Sequence, residues 1–220
     1  MTWEVEHVAL GVADFHALDV LKDARRRVLI ADFDHDAVVL GSHQPESDVN
    51  AALARRMGVE VVRRNSGGGA VWLPVGGAVW IDVVIPAADP LWTDDVRDSM
   101  LWLGRVWATV VAPHVAEPVH VLEGALVADY LGSKVCFVSE GPGEVVTDTG
   151  KVVGISQRRS RNGARFQCSL YVGTRLDGFA EILDLDAAEH ARVHRAHVPV
   201  AGDPASIAEA FVIELNRVQA

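Results

Sequence analysis

Three consecutive glycines, Gly67 to Gly69, stand in the middle of RRNSGGGAVW, between the β-branched run VEVVRR (59–64) and a second strand-like run that begins AVW at residue 70. An interior glycine gives up more backbone freedom on folding than any other residue. A triplet therefore needs a structural return: a positive φ angle, close packing of two backbones, or peptide N–H groups brought against a ligand's oxygens. The flanks make it a strand-to-strand bend. A Walker-type phosphate loop would end in Gly-Lys-Ser/Thr and open a helix, and a dinucleotide fingerprint would sit at a strand-to-helix turn, so neither fits. A plain hairpin bend would satisfy the glycines alone. Arg63, Arg64 and Ser66, just before them, add donors suited to an acceptor-rich ligand.

The rest of the chain limits what such a bend can serve. With 220 residues, half of them apolar, there is material for a sizeable core in one large domain or two small ones. A formal charge of −10 argues against a nucleic-acid partner, because neutralising phosphates needs a broad basic surface. The start, MTWEVEHVALGVADF, has neither the cationic opening nor the apolar run of a signal peptide, and AVWIDVVIPAA is broken by Asp82 and Pro86. A soluble, cytoplasmic protein with no membrane partner is expected. In that compartment the two cysteines read as free thiols, each to be judged as core filler or as a reactive group.

Periodicity predicts a helix over ADFHALDVLKDARR with Asp14 as cap. A second is predicted over PESDVNAALARRMG, capped by Ser47 or Asp48 and stopped at Gly58, and a long amphipathic one over DDVRDSMLWLGRVWATVVA, with Trp102 and Trp107 in the core. The alternating aspartates of DFDHD lack the glycine and the terminal glutamate of a calcium loop. From Val119 to Val172 the texture turns to short strands, KVCFVS, GEVVT, GKVVGISQRR and ARFQCSLYVG, and the tail reads as two helices. Helices and strands come in clusters rather than in alternation, which predicts an α+β fold with a mixed, largely antiparallel sheet flanked by helices.

A second informative stretch is GKVVGISQRRSRNGARFQC, from Gly150 to Cys168. Glycines weaken strands and mark close approaches, so Lys151, held between Gly150 and Gly154, would project beside something small, although a solvated edge lysine fits the same pattern. Together, GSHQPESDVNAALARRMGVEVVRRNSGGGAV (41–71) and GKVVGISQRR (150–159) resemble the signature segments of lipoate-protein ligase A and the related octanoyltransferases. The resemblance is strong over these segments and extends over about residues 10–185. It implies a single catalytic domain over 1–220 of the biotin ligase and class II aminoacyl-tRNA synthetase kind, without the accessory C-terminal domain of full-length ligases. It further implies that Arg63, Arg64, Ser66, Gly67, Gly68, Gly69 and Ala70 wrap a lipoyl or octanoyl group, that Gly154 belongs to the same wall, and that Lys151 contacts the reacting carbonyl.

Cys136 adds a nucleophile. Cysteine-dependent octanoyltransferases resembling this chain carry theirs in an A-C-F stretch about fifteen residues before the same lysine, and here VCF occupies 135–137. A cation beside a thiol favours the thiolate, which can take an acyl group from a thioester; on its own, a cysteine in an apolar strand is as readily a buried hydrophobe. The resemblance thus implies transfer of an octanoyl or lipoyl group to a lysine of a lipoyl-domain acceptor. Acyl carrier protein would be the donor, and no cofactor is required. The rivals are an ATP- and Mg²⁺-dependent lipoate ligase acting through an adenylate, and a non-catalytic acyl-binding relative.

Two segments depart from the family pattern. WLP (72–74) replaces F-H-D, and FQC (166–168) replaces H-H-G, which puts Cys168 where it would face the ligand. Arg158, Arg159, Arg161 and Arg165 form a basic cluster that would suit an acidic carrier, or would simply solvate a hairpin loop. His190, His194 and His197 have a ligand-like spacing without a recognised metal pattern, so no metal is expected.

Overall fold

A computed structural model describes residues 3–173 and 176–218. Its strands are β1 (Glu4–Val8), β2 (Arg27–Ala31), β3 (Ala37–Leu40), β4 (Glu60–Arg63) and β5 (Val71–Leu73), followed by β6 (Ala78–Pro86), β7 (His120–Val121), β8 (Val145–Val146), β9 (Lys151–Ser160) and β10 (Gly163–Tyr171). The helices are α1 (Val12–Ala17), α2 (Ala51–Arg56), α3 (Leu101–Val111), α4 (Tyr130–Lys134), α5 (Asp177–Ile182), α6 (Ala187–Arg195) and α7 (Pro204–Leu215).

A seven-stranded sheet in the order β1-β2-β6-β10-β9-β8-β7 forms the body. All its neighbours are antiparallel except β1 and β2. β6 and β10 lie at the centre, covered on both faces, and for that reason AVWIDVVIP carries apolar residues at nearly every position rather than at every second one. A smaller sheet, β4-β3-β5, packs beside it. The fold is thus α+β with a large, mostly antiparallel sheet flanked by helices, as expected.

The large sheet separates two cores. On one side α3 and α7 cover it, with Trp107 stacked on Phe211 at 4.1 Å and with Phe166, Cys168 and Leu170 contributed by β10. On the other, α1, the small sheet and the turn after α4 pack on Tyr171, Trp80 and Val84. Trp102 is only partly buried, at the margin of the first core.

The helices are shorter than the periodicity suggests. α1 stops at Ala17, and its N-cap is Gly11 without a side-chain bond, not Asp14. α2 begins after Asn50, whose side chain accepts the Leu53 N–H; Ser47 and Asp48 belong to a preceding 3-10 turn, while Gly58 ends the unit at φ 72°. The tail's first predicted helix is two, α5 and α6, separated by Asp184 at φ 50°, and Asp186 opens α6 with a capping box to Glu189. KVCFVS is not a strand: Lys134 ends α4 and Cys136–Val138 is a 3-10 turn. No helix among the described residues is long and apolar enough to cross a membrane.

Candidate active site

The glycine bend links β4 to β5 and folds against the turn that holds Cys136. Ala70 N–H donates to Lys134 O at 2.8 Å and Cys136 N–H donates to Ala70 O at 3.0 Å, a parallel bridge that fixes where the cysteine emerges. The approach leaves no room for side chains. A Cβ on Gly69 would lie 2.7 Å from the Lys134 carbonyl carbon, and one on Gly41 would lie 1.8 Å from Gly68 O. Gly68 adopts φ 98°, which excludes most other residues, whereas a Cβ on Gly67 would meet nothing within 4 Å. Just before β9, Gly150 admits the backbone of Ala196, 2.3 Å from its would-be Cβ, whereas within the strand a Cβ on Gly154 would meet the Phe137 ring at 3.4 Å, an ordinary contact. Gly41, Gly69 and Gly150 are required by the protein's own backbone packing, a reason the sequence offered beside ligand approach.

Arg64 holds the bend from inside, and the exposed Arg63 braces the neighbouring turn at Gly41 and Gln44. Arg63 donates to Gly41 O at 2.8 Å and to Gln44 O at 2.6 Å. Arg64 is 1% exposed and donates to Ser66 Oγ, Val39 O, Gly67 O and Gly69 O at 2.7 to 3.1 Å. Among the described residues no carboxylate pairs with it. Burial pushes its pKa down from the ordinary arginine value, opposed by the charges of Cys136, Tyr171 and Glu144 in that order. A side chain at Gly68 would stand 2.9 Å from Arg64 Nη2 and 3.9 Å from Cys136 Sγ, so guanidinium and thiol face one small space above the bend. Ser66 Oγ donates to Gln167 Oε1 at 2.7 Å and lies 3.0 Å from Ser156 Oγ, tying the bend to the sheet below.

Lys151 points inward. A register shift, in which one step along β8 spans two residues of β9, turns its side chain toward Phe137, whose ring centroid is 5.5 Å from Nζ. Nζ donates to Cys136 O at 2.7 Å and to Glu144 Oε1 at 2.8 Å, with Glu144 Oε2 in ion-pair contact at 2.7 Å, and the lysine is 1% exposed. Glu144 also accepts the N–H groups of Gly141 at 2.7 Å and Ile155 at 3.3 Å. Its burial pushes the carboxyl pKa up, and Lys151 pulls it back down. Nothing in the sequence singled out Glu144: it sits in a loop, and only the fold closes the seven-residue gap to Lys151. His197, which the sequence offered only beside His190 and His194 as a ligand-like spacing, meets the Tyr171 ring edge-on at 4.1 Å and is bridged to Lys151 through the backbone. Its pKa falls to about 3 through burial, then through His194 and Lys151, and Nε2 has no partner among the described residues.

Cys168 requires a correction. Alternation along β10 puts Gln167 and Ser169 on the Cys136 side and Cys168 on the other, wholly buried beneath α3 and α7, with its thiol pKa pushed far up by burial. It cannot line a site around Lys151. The basic cluster also dissolves. Arg165 is buried against Asp82 at 2.5 Å, and Arg159 lies over the Trp92 ring at 3.9 Å, leaving only part of the expected carrier-binding surface. In WLP, Trp72 stacks on Phe179, while Leu73 and Pro74 border a separate groove of about 610 Å³ with Ile30, Phe33 and Val212. His190 and His194 meet through their Nε2 atoms at 2.9 Å, and no group of three or more His, Cys, Asp or Glu suited to a metal occurs among the described residues.

The sequence profile described as "Lipoyl protein ligase A/B catalytic domain" matches residues 9–211. No curated protein sequence matches the chain. Among solved structures, the bi-partite lipoate protein ligase of Thermoplasma acidophilum, studied with its E2 lipoyl domain, superimposes with a TM-score of 0.75 at 14% identity, over 98% of this chain and 83% of that one. A T. acidophilum protein with bound lipoic acid gives 0.71 at 14% identity, over 98% and 85%. A lipoate-protein ligase A bound with ATP gives 0.68 at 13% identity, over 98% and 85%. At these identities the likenesses establish the fold.

Proposed function

This chain belongs to the family of lipoyl protein ligase A/B catalytic domains, and from that premise we propose that it transfers an octanoyl or lipoyl group from a thioester to a lysine of an acceptor lipoyl domain through an acyl-thioester on Cys136. The carrying observation is the joint placement of Cys136, Arg64 and Lys151. The thiol faces the same space above Gly68 as a buried guanidinium that no described carboxylate neutralises, and the Lys151 ammonium lies on the cysteine's own carbonyl.

In the first half, the Cys136 thiolate adds to the donor's thioester carbon, and the tetrahedral oxyanion accepts a hydrogen bond from Lys151 Nζ. Collapse breaks the donor's C–S bond; the released thiolate takes up the proton that Cys136 gave up, leaving acyl-Cys136 and a free donor thiol. In the second half, the neutral ε-amine of the acceptor lysine adds to the acyl carbon. The C–S bond to Cys136 breaks, and the nitrogen's proton returns the cysteine to its thiol. Arg64 faces the sulfur when it carries charge in both halves. The exchange of a thioester for an amide runs downhill, so no nucleotide enters the balance.

Ligation through an adenylate fits these residues less well. Arg64 is held by three backbone carbonyls and Ser66, Arg63 Nη1 by two further carbonyls, and the Lys151 ammonium already has Glu144 as its counter-charge. No step is therefore routed through ATP. Intact-mass spectrometry after incubation with octanoyl-acyl carrier protein is the test. The wild type should gain one octanoyl group that Cys136→Ser cannot carry, and should pass it to a lipoyl domain. Modification of the acceptor only with free lipoate and ATP would establish the ligase instead, and no product under either condition would leave an acyl-binding protein.

A further inference from the structure

The groups around the Lys151 ammonium limit what can be exchanged at its head. Glu144 meets it with both oxygens, Oε1 accepting a hydrogen bond at 2.8 Å and Oε2 in ion-pair contact at 2.7 Å; the main-chain carbonyl of Cys136 accepts a second hydrogen bond at 2.7 Å. Glu144 is itself anchored by the N–H groups of Gly141 and Ile155, so the ion pair is held in place from both ends. The lysine side chain is 1% exposed and the glutamate side chain 6%.

The position open to exchange is therefore the one outside the ion pair, and an uncharged carbonyl now fills it. A thioester carbonyl replacing the Cys136 carbonyl leaves the local charge unchanged. A free carboxylate or a phosphoryl oxygen in that place would set a second anion against a single ammonium that already has its counter-charge. In a buried site that means repulsion between like charges at the lysine head, while the Arg64 guanidinium stands beside the Cys136 sulfur and outside this ion pair.

We propose that Glu144 determines substrate class at this site: by neutralising Lys151 it admits uncharged acyl donors and turns away free acids and acyl phosphates. The inference rests on the acyl-transfer reading above. It makes Glu144 a specificity-determining residue that acts through Lys151 and touches no reacting atom.

The test compares charge at constant shape. Calorimetric titration of the wild-type protein with octanamide and with octanoate, the same chain carrying a neutral or an anionic head, should show the amide binding at least about tenfold tighter. Glu144→Gln should reverse this by strengthening octanoate binding about tenfold or more. The double variant Lys151→Met/Glu144→Gln should lose that gain, because the ammonium responsible for it is gone. Octanoate binding as tightly as octanamide to the wild type overturns the proposal, and this arm needs no variant to fold. Equal octanoate affinity in wild type and a folded Glu144→Gln protein overturns it too, as does a gain that survives in the double variant. None of these readouts requires acylation of Cys136, so a failure of the transfer reading would be seen separately, as absence of the octanoyl mass on that residue.

Discussion

The two cysteines of this chain lie on opposite sides of one sheet and share only their element. Cys168 projects from the middle of β10 into the core under α3 and α7, among Phe166, Leu170 and Trp107, and burial is the main cause that disfavours its thiolate. Cys136 sits in a turn packed on the glycine bend, 8% exposed, facing the same space as Arg64 and with Lys151 on its carbonyl. The difference extends to the whole of each side. His16, Arg64, Asp82, Glu144, Lys151, Arg165 and His197 are all buried and all stand on the Cys136 side, while the α3/α7 core is built from apolar side chains, with the ion pair of Arg26 and Asp89 at its Trp3 margin. Reactivity here is a property of the side of the sheet, and the residue type is only its precondition.

The largest expected effect follows directly. Alkylation by iodoacetamide should modify Cys136 in the native protein and reach Cys168 only through global unfolding, so the two rates should differ by a factor of about 10³ or more for a domain of ordinary stability. Peptide mapping of the labelled protein reads both at once. Comparable rates would erase the contrast between the two sides. Cys168→Ser completes the comparison: it buries a hydroxyl in an apolar core and should cost about 1–3 kcal/mol in denaturant unfolding, while leaving acylation of Cys136 at its wild-type rate.

Next in size is a contrast within the glycine triplet. Gly69→Ala would put a methyl group 2.7 Å from the backbone of Lys134 and Val135 and force apart the bridge that places Cys136. The expected cost is about 2–4 kcal/mol with a parallel loss of acylation, since overpacking at backbone cannot be relieved by a side-chain rotation. Gly67→Ala meets nothing within 4 Å and should change unfolding by less than about 0.5 kcal/mol. Should its acylation rate fall while stability holds, a substrate uses the space over Gly67, and the contrast becomes one between a structural glycine and a binding one.

This pair of residues also shows what the sequence could and could not disclose. The spacing of Arg63 to Ala70, of Cys136 and of Lys151 was legible because each lies in a short segment with its own local pattern, and so was the largely antiparallel sheet. What remained hidden were distances between segments. Gly69 is a glycine because residues 134–136 arrive there, Gly150 because Ala196 does, and Lys151 is paired because a loop returns Glu144 to it. Cys168 was misplaced for a simpler reason. Strand alternation puts it and Gln167 on opposite faces, but which face is which depends on the register with β6 and β9, a long-range fact. The long helices predicted in the first and last thirds failed at Leu18 and Asp184, where tertiary packing outweighed a helical period.

The smallest effect concerns the cost of burying so many ionisable groups on one side. His16 and His197 both have pKa values lowered to about 3, burial being the main cause in each, against about 6.5 in an unfolded chain. Below pH 6.5 the unfolded chain takes up protons at these positions that the folded protein refuses. Each histidine therefore removes stability as pH falls from about 6.5 toward 3, with a slope approaching about 1.4 kcal/mol per pH unit. Asp82 and Glu144, whose pKa values are raised by burial, act in the opposite direction, because the folded protein takes up their protons first. The difference between proteins thus measures the histidine better than the slope of either. His197→Phe, which keeps a ring against Tyr171 and Phe137, should lose about one proton's worth of acid sensitivity between pH 6 and pH 4 in urea titrations. An unchanged pH dependence would mean that the imidazole charges within the fold, and that the Cys136 side is wetter than its burial suggests.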